Sequence, residues 1–296
     1  MNEIFATKYG YYSVKNIPTE KELSEYYGKK YYQEGNGSYE TEYDSDEIQY
    51  FKNKIAERAF IIEQNLPDSI NKNFLDIGCG EGWALGYFKE KGWNVVGLDY
   101  SSFGCKKFNP ECAENLIEGD VYFNLNKLVA EDKKYSVVWL DNVLEHVTDP
   151  EFLINEIKKI LEPGSILVIE VPNDFSFVQE YLLQNKNVEK RYWVITPDHL
   201  SYFNKDGLNR LLSENGYDSL EFIGDYPIDV NLMNPNTNYI QDKTKGKSCH
   251  RQRINFDNLI HKRPVKDVVE YYKACAQLGL GRVITGFFKL SANSQL

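Results

Sequence analysis

The sequence predicts an α/β fold built on a doubly wound, mostly parallel sheet, and three observations predict it. Short apolar runs alternate with amphipathic segments from Phe74 to Val171, the rhythm of β-strands joined by crossover helices. The run YSVVWL, Tyr135 to Leu140, is apolar throughout, as a strand covered on both faces must be. Three glycines, Gly78, Gly80 and Gly82, occupy the first strand-to-helix turn, where sheets of this kind bind ligands.

The elements follow in order. Residues 1–65 form a tyrosine-rich arm and a helix; ten of the 22 tyrosines lie in the first 50 positions, a composition suited to a lid over a ligand. Pro18-Thr19-Glu20 followed by Lys21 to Tyr27 predicts a short helix, and Gly35-Asn36-Gly37-Ser38 a loop. A helix over Asp46–Asn65 carries Ile48, Phe51, Ile55, Ala59 and Ile62 on one face and has Asp44, Ser45 or Asp46 as its cap. Residues 66–296 form the α/β domain. Its strands are expected at Phe74–Ile77, Asn94–Leu98, Asn115–Glu118, Tyr135–Leu140, Ser165–Val171, Ser219–Gly224 and Arg282–Leu290. Its helices are expected at Trp83–Lys91, Ser101–Phe108, from Thr148 to Leu161, and at Asp174–Gln184 and Lys205–Glu214. Thr148 is the expected cap of the fourth strand's helix, with Pro150 in its first turn and Glu151 closing a capping box. An insert at 225–281 separates the last two strands and holds a helix over Val265–Leu278.

Composition removes several functions. A formal charge of -10 and a pI near 5.1 repel phosphate backbones, so no general nucleic-acid binding is expected. The five cysteines are odd in number and include no CxxC pair, which fits reduced thiols in a cytoplasmic protein and gives no metal site. The first residues lack a signal-peptide core, and no apolar run is long enough to span a membrane. Charge is uneven, however. Seven basic residues and one acid lie between Lys243 and Arg263. This segment reads either as a solvated loop or as a holder, through His250 and Arg251, of an anionic acceptor.

The glycine turn needs a ligand to explain it. Glycines there let the main chain approach a ligand with no Cβ between. Asp99 closes the second strand, 19 residues after Gly80, where a carboxylate grips a ribose diol. The spacing is G-x-G-x-G, and Asp76 and Glu81 accompany it. Carboxylates beside a pyrophosphate are unfavourable; beside an ammonium or a sulfonium they are not.

With these blocks in order, DIGCGEG (76–82), Asp99, EGDV (118–121) and LDNVLEHV (140–147), the chain resembles the class I S-adenosylmethionine-dependent methyltransferases. The last block is similar to that of quinone-biosynthesis O-methyltransferases. The arm, DHLSYF (198–203) and GLGR (279–282) look like bacterial surface-glycan methyltransferases. The resemblance implies a seven-stranded sheet whose last strand is antiparallel. It implies that Asp76, Gly78 and Gly80 hold the methionine part of S-adenosylmethionine, Asp99 the ribose, and Tyr100 the adenine. Asp120 and the Val121 amide then read the adenine edge, Asn142 faces the methionine end, and Tyr32 reaches its carboxylate.

A hydroxyl acceptor also needs a proton removed, and histidine suits that near neutral pH. His199 is the preferred base and His146 the second; either is otherwise a loop histidine bonded to backbone. Tyr192 and Trp193 line the acceptor pocket or pack the sheet. The expected partner is a small acceptor, sugar-containing or anionic, with a homodimer possible. The expected reaction is O-methylation of a sugar or phosphate-bearing glycan precursor. The alternatives are N-methylation of an amino sugar, O-methylation of a phenolic quinone precursor and, remotely, an NAD-dependent nucleotide-sugar enzyme.

Overall fold

The computed structural model describes residues 3–19, 22 and 42–292. The expectations for Tyr32, for the loop at 35–38 and for most of the helix at 18–27 lie outside the described residues.

A small antiparallel sheet, β1 (Ile4–Ala6), β2 (Tyr12–Val14) and β8 (Ser201–Tyr202), joins the start of the chain to the segment after the fifth domain strand. Sequence reading did not draw it, because strands of two and three residues carry no periodicity. Helix α1 (Ser45–Asn65) begins at Asp44. The Asp44 carboxylate accepts from the Asp46 and Glu47 amides at 3.0 Å, and the Glu47 side chain accepts from the Asp44 amide at 3.0 Å, a complete capping box.

The central sheet has the order β5 (Leu116–Glu118), β4 (Asn94–Asp99), β3 (Asn73–Ile77), β6 (Tyr135–Asp141), β7 (Leu161–Pro172), β10 (Val283–Leu290), β9 (Tyr217–Gly224). Strands β3 to β7 pair in parallel, and β10 runs antiparallel to both β7 and β9. The seven strands and the reversed last one are as expected. The order of winding reverses at β3, so the crevice beyond its C-terminal end is the ligand position for such a sheet.

Helices cover both faces. On one lie α4 (Val121–Ala130), α5 (Pro150–Lys158) and α7 (Lys205–Glu214), with Leu125, Leu153 and Leu208 against Leu75, Val138 and Leu167. On the other lie α1, α2 (Trp83–Glu90) and α9 (Val265–Gln277), with Ile62, Phe88 and Tyr272 against Phe74, Trp139 and Phe287. Each such side chain fully removed from water stabilises the fold by about 1.5–3 kcal/mol. Two further helices are α3 (Phe103–Phe108) and α6 (Phe177–Gln184).

Three local expectations change. Helix α4 was not foreseen; Asp120 caps it by accepting from the Phe123 amide at 2.7 Å. Helix α5 is capped by Asp149, which accepts from the Phe152 amide at 2.9 Å, so Thr148 is not the cap. Glu151 therefore closes no capping box and instead meets Lys8 at 3.2 Å. The basic segment is a helix, α8 (Gly246–Ile260), laid against α1 through Asn53 and Asn258, whose side-chain amides bond at 2.9 Å. Among the described residues, no helix is long and apolar enough to cross a membrane.

Candidate active site

The turn after β3 is tied to β4. The Gly78 and Cys79 amides both donate to the Leu98 carbonyl, at 2.7 and 3.1 Å. The Gly80 amide donates to Asp99 Oδ2 at 2.8 Å, and the Ser101 amide to Asp99 Oδ1 at 2.9 Å. The carboxylate that closes β4 is thus oriented by the glycine turn itself, and each oxygen keeps a lone pair for a ligand hydroxyl. Gly78 has φ +74° and Gly80 φ +52°. An added Cβ on Gly78 would lie 2.4 Å from Val143 Cγ2, whereas one on Gly80 would meet nothing within 4 Å among the described residues. Among those residues, the main chain at Gly80 faces open space.

That space is part of a cavity of about 400 Å³, within the range of small-molecule sites. Gly78, Gly80 and Glu81 line one side, Tyr50, Lys54 and Arg58 of α1 another, and Asp141, Asn142 and Glu170 the strand ends. Acids outnumber free cations there. Arg58 Nη1 meets Asp141 Oδ2 at 2.7 Å, and its Nη2 is bonded to Glu170. Thr285 also donates to Glu170, at 2.6 Å. Asp76 is only 3 % exposed, and burial pushes its carboxyl well above the usual range; Asp141 and Asp99 push it further and Arg58 opposes them. Asp99 is raised as well, first by burial. A ligand bringing positive charge relieves this repulsion. S-adenosylmethionine brings an ammonium and a sulfonium, so these residues fit it. Asp76, Gly78, Gly80 and Asn142 would hold the amino-acid part, and Asp99 the ribose.

Asn142 stands at the end of β6 with φ +53°, a conformation asparagine tolerates, and its amide donates to the Glu170 carbonyl at 3.1 Å. Tyr100 is exposed, and its hydroxyl donates to Asp120 Oδ2 at 2.7 Å. Tyr100, Asp120 and Val121 thus form one surface beside Asp99, at the place assigned to the adenine.

His146 and His199 come together, although 53 positions separate them. The Glu145 carbonyl accepts from the Leu200 and Ser201 amides, at 2.8 and 3.1 Å, which binds the loop after β6 to the segment before β8. The two rings then meet edge to face, with centroids 4.9 Å apart. His146 Nδ1 lies 2.6 Å from the Asp198 carbonyl, and Nε2 lies 3.7 Å from Glu145 Oε1. Glu145 is 1 % exposed, and neither carboxyl oxygen has a hydrogen-bond partner among the described residues. Sequence reading passed over Glu145, although it sits in the same LEHV block.

The other expected acceptor residues are engaged elsewhere, and neither they nor His146 and His199 are among the residues that line the cavity. Arg251 is bonded to Asp44 and so closes the N-terminus of α1. His250 Nδ1 accepts from Arg253 Nη2 at 2.9 Å; burial and that arginine lower its pKa, so it is neutral and a poor anion holder. Trp193 is fully buried, edge-on to Phe175 and Tyr192. Tyr192 packs with Val178, Leu182 and Leu232. Arg58, Lys54 and Glu170 were missed. The signal was present for the first two: charged residues at positions 54, 57 and 58 interrupt the apolar stripe of α1.

A doubly wound sheet with a nucleoside-type turn at its switch point defines the class. Residues 45–221 match the family model described as a methyltransferase domain, more than half of the chain, and the chain belongs to that family. It is similar to the ubiquinone biosynthesis O-methyltransferase of Pelagibacter ubique, at 26% identity over 188 residues, 57% of this chain and 78% of that enzyme. It is similar also to the enzyme of that name from Colwellia psychrerythraea, at 27% identity over 51% of this chain and 62% of the relative. Among solved structures, it resembles a SAM-dependent methyltransferase from Archaeoglobus fulgidus, at 21% identity and TM-score 0.49, over 83% of this chain and 100% of that one. The protein is an S-adenosylmethionine-dependent methyltransferase.

Proposed function

We propose that the protein O-methylates a small aromatic acceptor carrying an acidic hydroxyl, and that the Glu145, His146 and His199 cluster handles the hydroxyl proton. The observation that carries this reading is the meeting of His146 and His199 beyond the C-terminal end of β6, one turn of chain past Asn142. Bound S-adenosylmethionine supplies the electrophilic methyl group. The chain supplies alignment and exclusion of water, effects worth on the order of 7–11 kcal/mol in oriented reactions. A positioned proton acceptor adds roughly 10²–10⁴-fold. The similarity to ubiquinone biosynthesis O-methyltransferases supports a phenolic hydroxyl. The sugar-phosphate expectation draws on the basic segment and on the surface-glycan resemblance; the first of these weakens because Arg251 and His250 are taken by Asp44 and Arg253.

Calorimetry with S-adenosylhomocysteine and with NAD tests the cofactor. S-adenosylhomocysteine is expected to bind, Asp99→Ala to weaken it at least about tenfold through the lost diol contacts, and NAD not to bind. Undiminished binding by Asp99→Ala would remove the ribose assignment. Labelled methyl transfer to a panel of catechols and of nucleotide sugars tests the acceptor. Transfer confined to the nucleotide sugars would reverse the choice made here.

A further inference from the structure

We infer that Arg253 of α8 receives a carboxylate carried by the methyl acceptor, at the end of the cavity away from the glycine turn. This names the substrate class more closely than the acceptor reading above, and it rests on that reading.

The cavity crosses several strand ends. Gly78 and Gly80 follow β3, Asn142 follows β6 and Glu170 lies near the end of β7, while Val283 opens β10 and Asp225 follows β9. From β3 to β10 is three steps across the sheet, roughly 14 Å at the usual strand spacing. The residues that would hold the amino-acid part of S-adenosylmethionine stand at β3 and β6, so the sector beside β10 is left for the acceptor. Tyr50 and Trp139 also line the cavity, and their rings suit an aromatic acceptor.

Three cations line this space, Lys54, Arg58 and Arg253, and two of them are committed. Arg58 is bonded to Asp141 and Glu170. Lys54 lies 2.8 Å from Glu57 and 3.8 Å from Asp257. Arg253 has no carboxylate within ion-pair distance among the described residues. Asp225 and Asp257 act on it from further away, and Asp225 Oδ1 is already taken by the Arg282 and Val283 amides, at 2.6 and 3.1 Å.

What Arg253 does touch orients it without neutralising it. Its Nη2 donates to His250 Nδ1 at 2.9 Å, and its guanidinium lies over the Tyr50 ring, 5.4 Å from the centroid. Among the described residues, Nη1 makes no hydrogen bond, and neither does Nε, which is closed off from solvent. A guanidinium held in a cavity with no counter-ion is costly, and an anionic ligand removes the cost. A carboxylate fits better than a phosphate. Arginine takes a carboxylate through paired N–H groups. Asp141, Glu170 and Asp225 line the same cavity, so a ligand group with a second negative charge would be repelled. The basic segment thus acts through Arg253 rather than Arg251. Residues two apart on a helix point to different sides, so Arg251 meets Asp44 while Arg253 meets the cavity.

The test is calorimetry on the full chain saturated with S-adenosylhomocysteine, with protocatechuate and catechol as probes, which differ by one carboxylate. Wild type should bind protocatechuate at least about tenfold more tightly. Arg253→Gln, or Arg253→Met should the first not fold, should bind the two probes alike. A cooperative thermal transition shows that the variant is folded, and its S-adenosylhomocysteine affinity should stay within about threefold of wild type. Wild type with no preference for protocatechuate, or a folded variant that keeps the preference, would overturn the inference. So would a folded variant that loses S-adenosylhomocysteine about tenfold or more, because Arg253 would then serve the cofactor's own carboxylate. Labelled methyl transfer to both probes judges the O-methylation reading separately: binding that depends on Arg253 without any transfer would sink that reading and leave the arginine site standing.

Discussion

Gly78 and Gly80 share a left-handed backbone but meet different surroundings, and the two alanine variants should separate folding from binding. At Gly78 a Cβ would lie 2.4 Å from Val143 Cγ2. Left-handed strain of about 1–2 kcal/mol and overpacking of about 1–3 kcal/mol then add, so Gly78→Ala should lower the melting temperature by several degrees. At Gly80 the space is open among the described residues, so only the strain remains and the protein stays folded. The new methyl group nevertheless projects from the main chain that meets the ligand, and S-adenosylhomocysteine affinity should fall about tenfold or more. Calorimetry and thermal unfolding on both variants check this; a Gly80→Ala protein that binds like wild type would mean the turn does not cup the ligand. These glycines and Asp99 were legible in the sequence because the turn is local: three positive-φ residues and a carboxylate within 25 positions. Glu145 was not, because its significance depends on His199 and on burial, neither of which is written in the LEHV block.

Helix α1 is fastened to the sheet by a buried cation, and α8 is fastened to α1 by an exposed one. Arg58 is 4 % exposed and joins α1 to Asp141 on β6 and Glu170 on β7. Removing it leaves buried acids without a counter-charge, so Arg58→Met should cost about 3–5 kcal/mol in urea unfolding. Adding Glu170→Gln should restore part of the loss by removing one of those acids. Equal destabilisation by the single and double variants would argue against a charge origin. Arg251→Ala breaks only surface pairs with Asp44 and Asp46 and should leave both the unfolding midpoint and the acceptor KM unchanged. The strong elements of the sheet were legible because each carries a continuous apolar run. Helix α8 was not: of its residues only Cys249, Ile254 and Asp257 are buried, too sparse a stripe to show a period, and its ion-pair partners at Asp44 and Asp46 lie some 200 positions away.

Over the whole molecule, the joining of β7, α6 and β10 includes a buried ion pair whose titration shapes stability against pH. Asp174, after β7, meets Arg282 at 3.0 Å just before β10, and its side chain is fully buried. The antiparallel placement of β10 beside β7 was implied by family resemblance rather than by periodicity, and this pair is one of the contacts that fix it. Burial pushes the Asp174 carboxyl up to about 6 from 3.8; Arg282 opposes the shift, and Asp229 adds to it. Below pH 3.8 the group is protonated in both folded and unfolded chains and has no effect. Between pH 3.8 and 6 the folded state holds a proton that the unfolded state has released, so this group makes stability fall as pH rises. Above pH 6 both states are ionised and the full cost is present, about two pH units or roughly 3 kcal/mol. Asp174→Asn removes the titration while keeping an acceptor oxygen for Arg282. The unfolding free energy of the variant minus that of wild type should therefore climb by roughly 2 kcal/mol from pH 4 to 6.5 and then level off. Urea titrations across that range measure it directly. Parallel curves for the two proteins would mean that Asp174 titrates alike in both states, and that the Arg282 guanidinium fully offsets its burial.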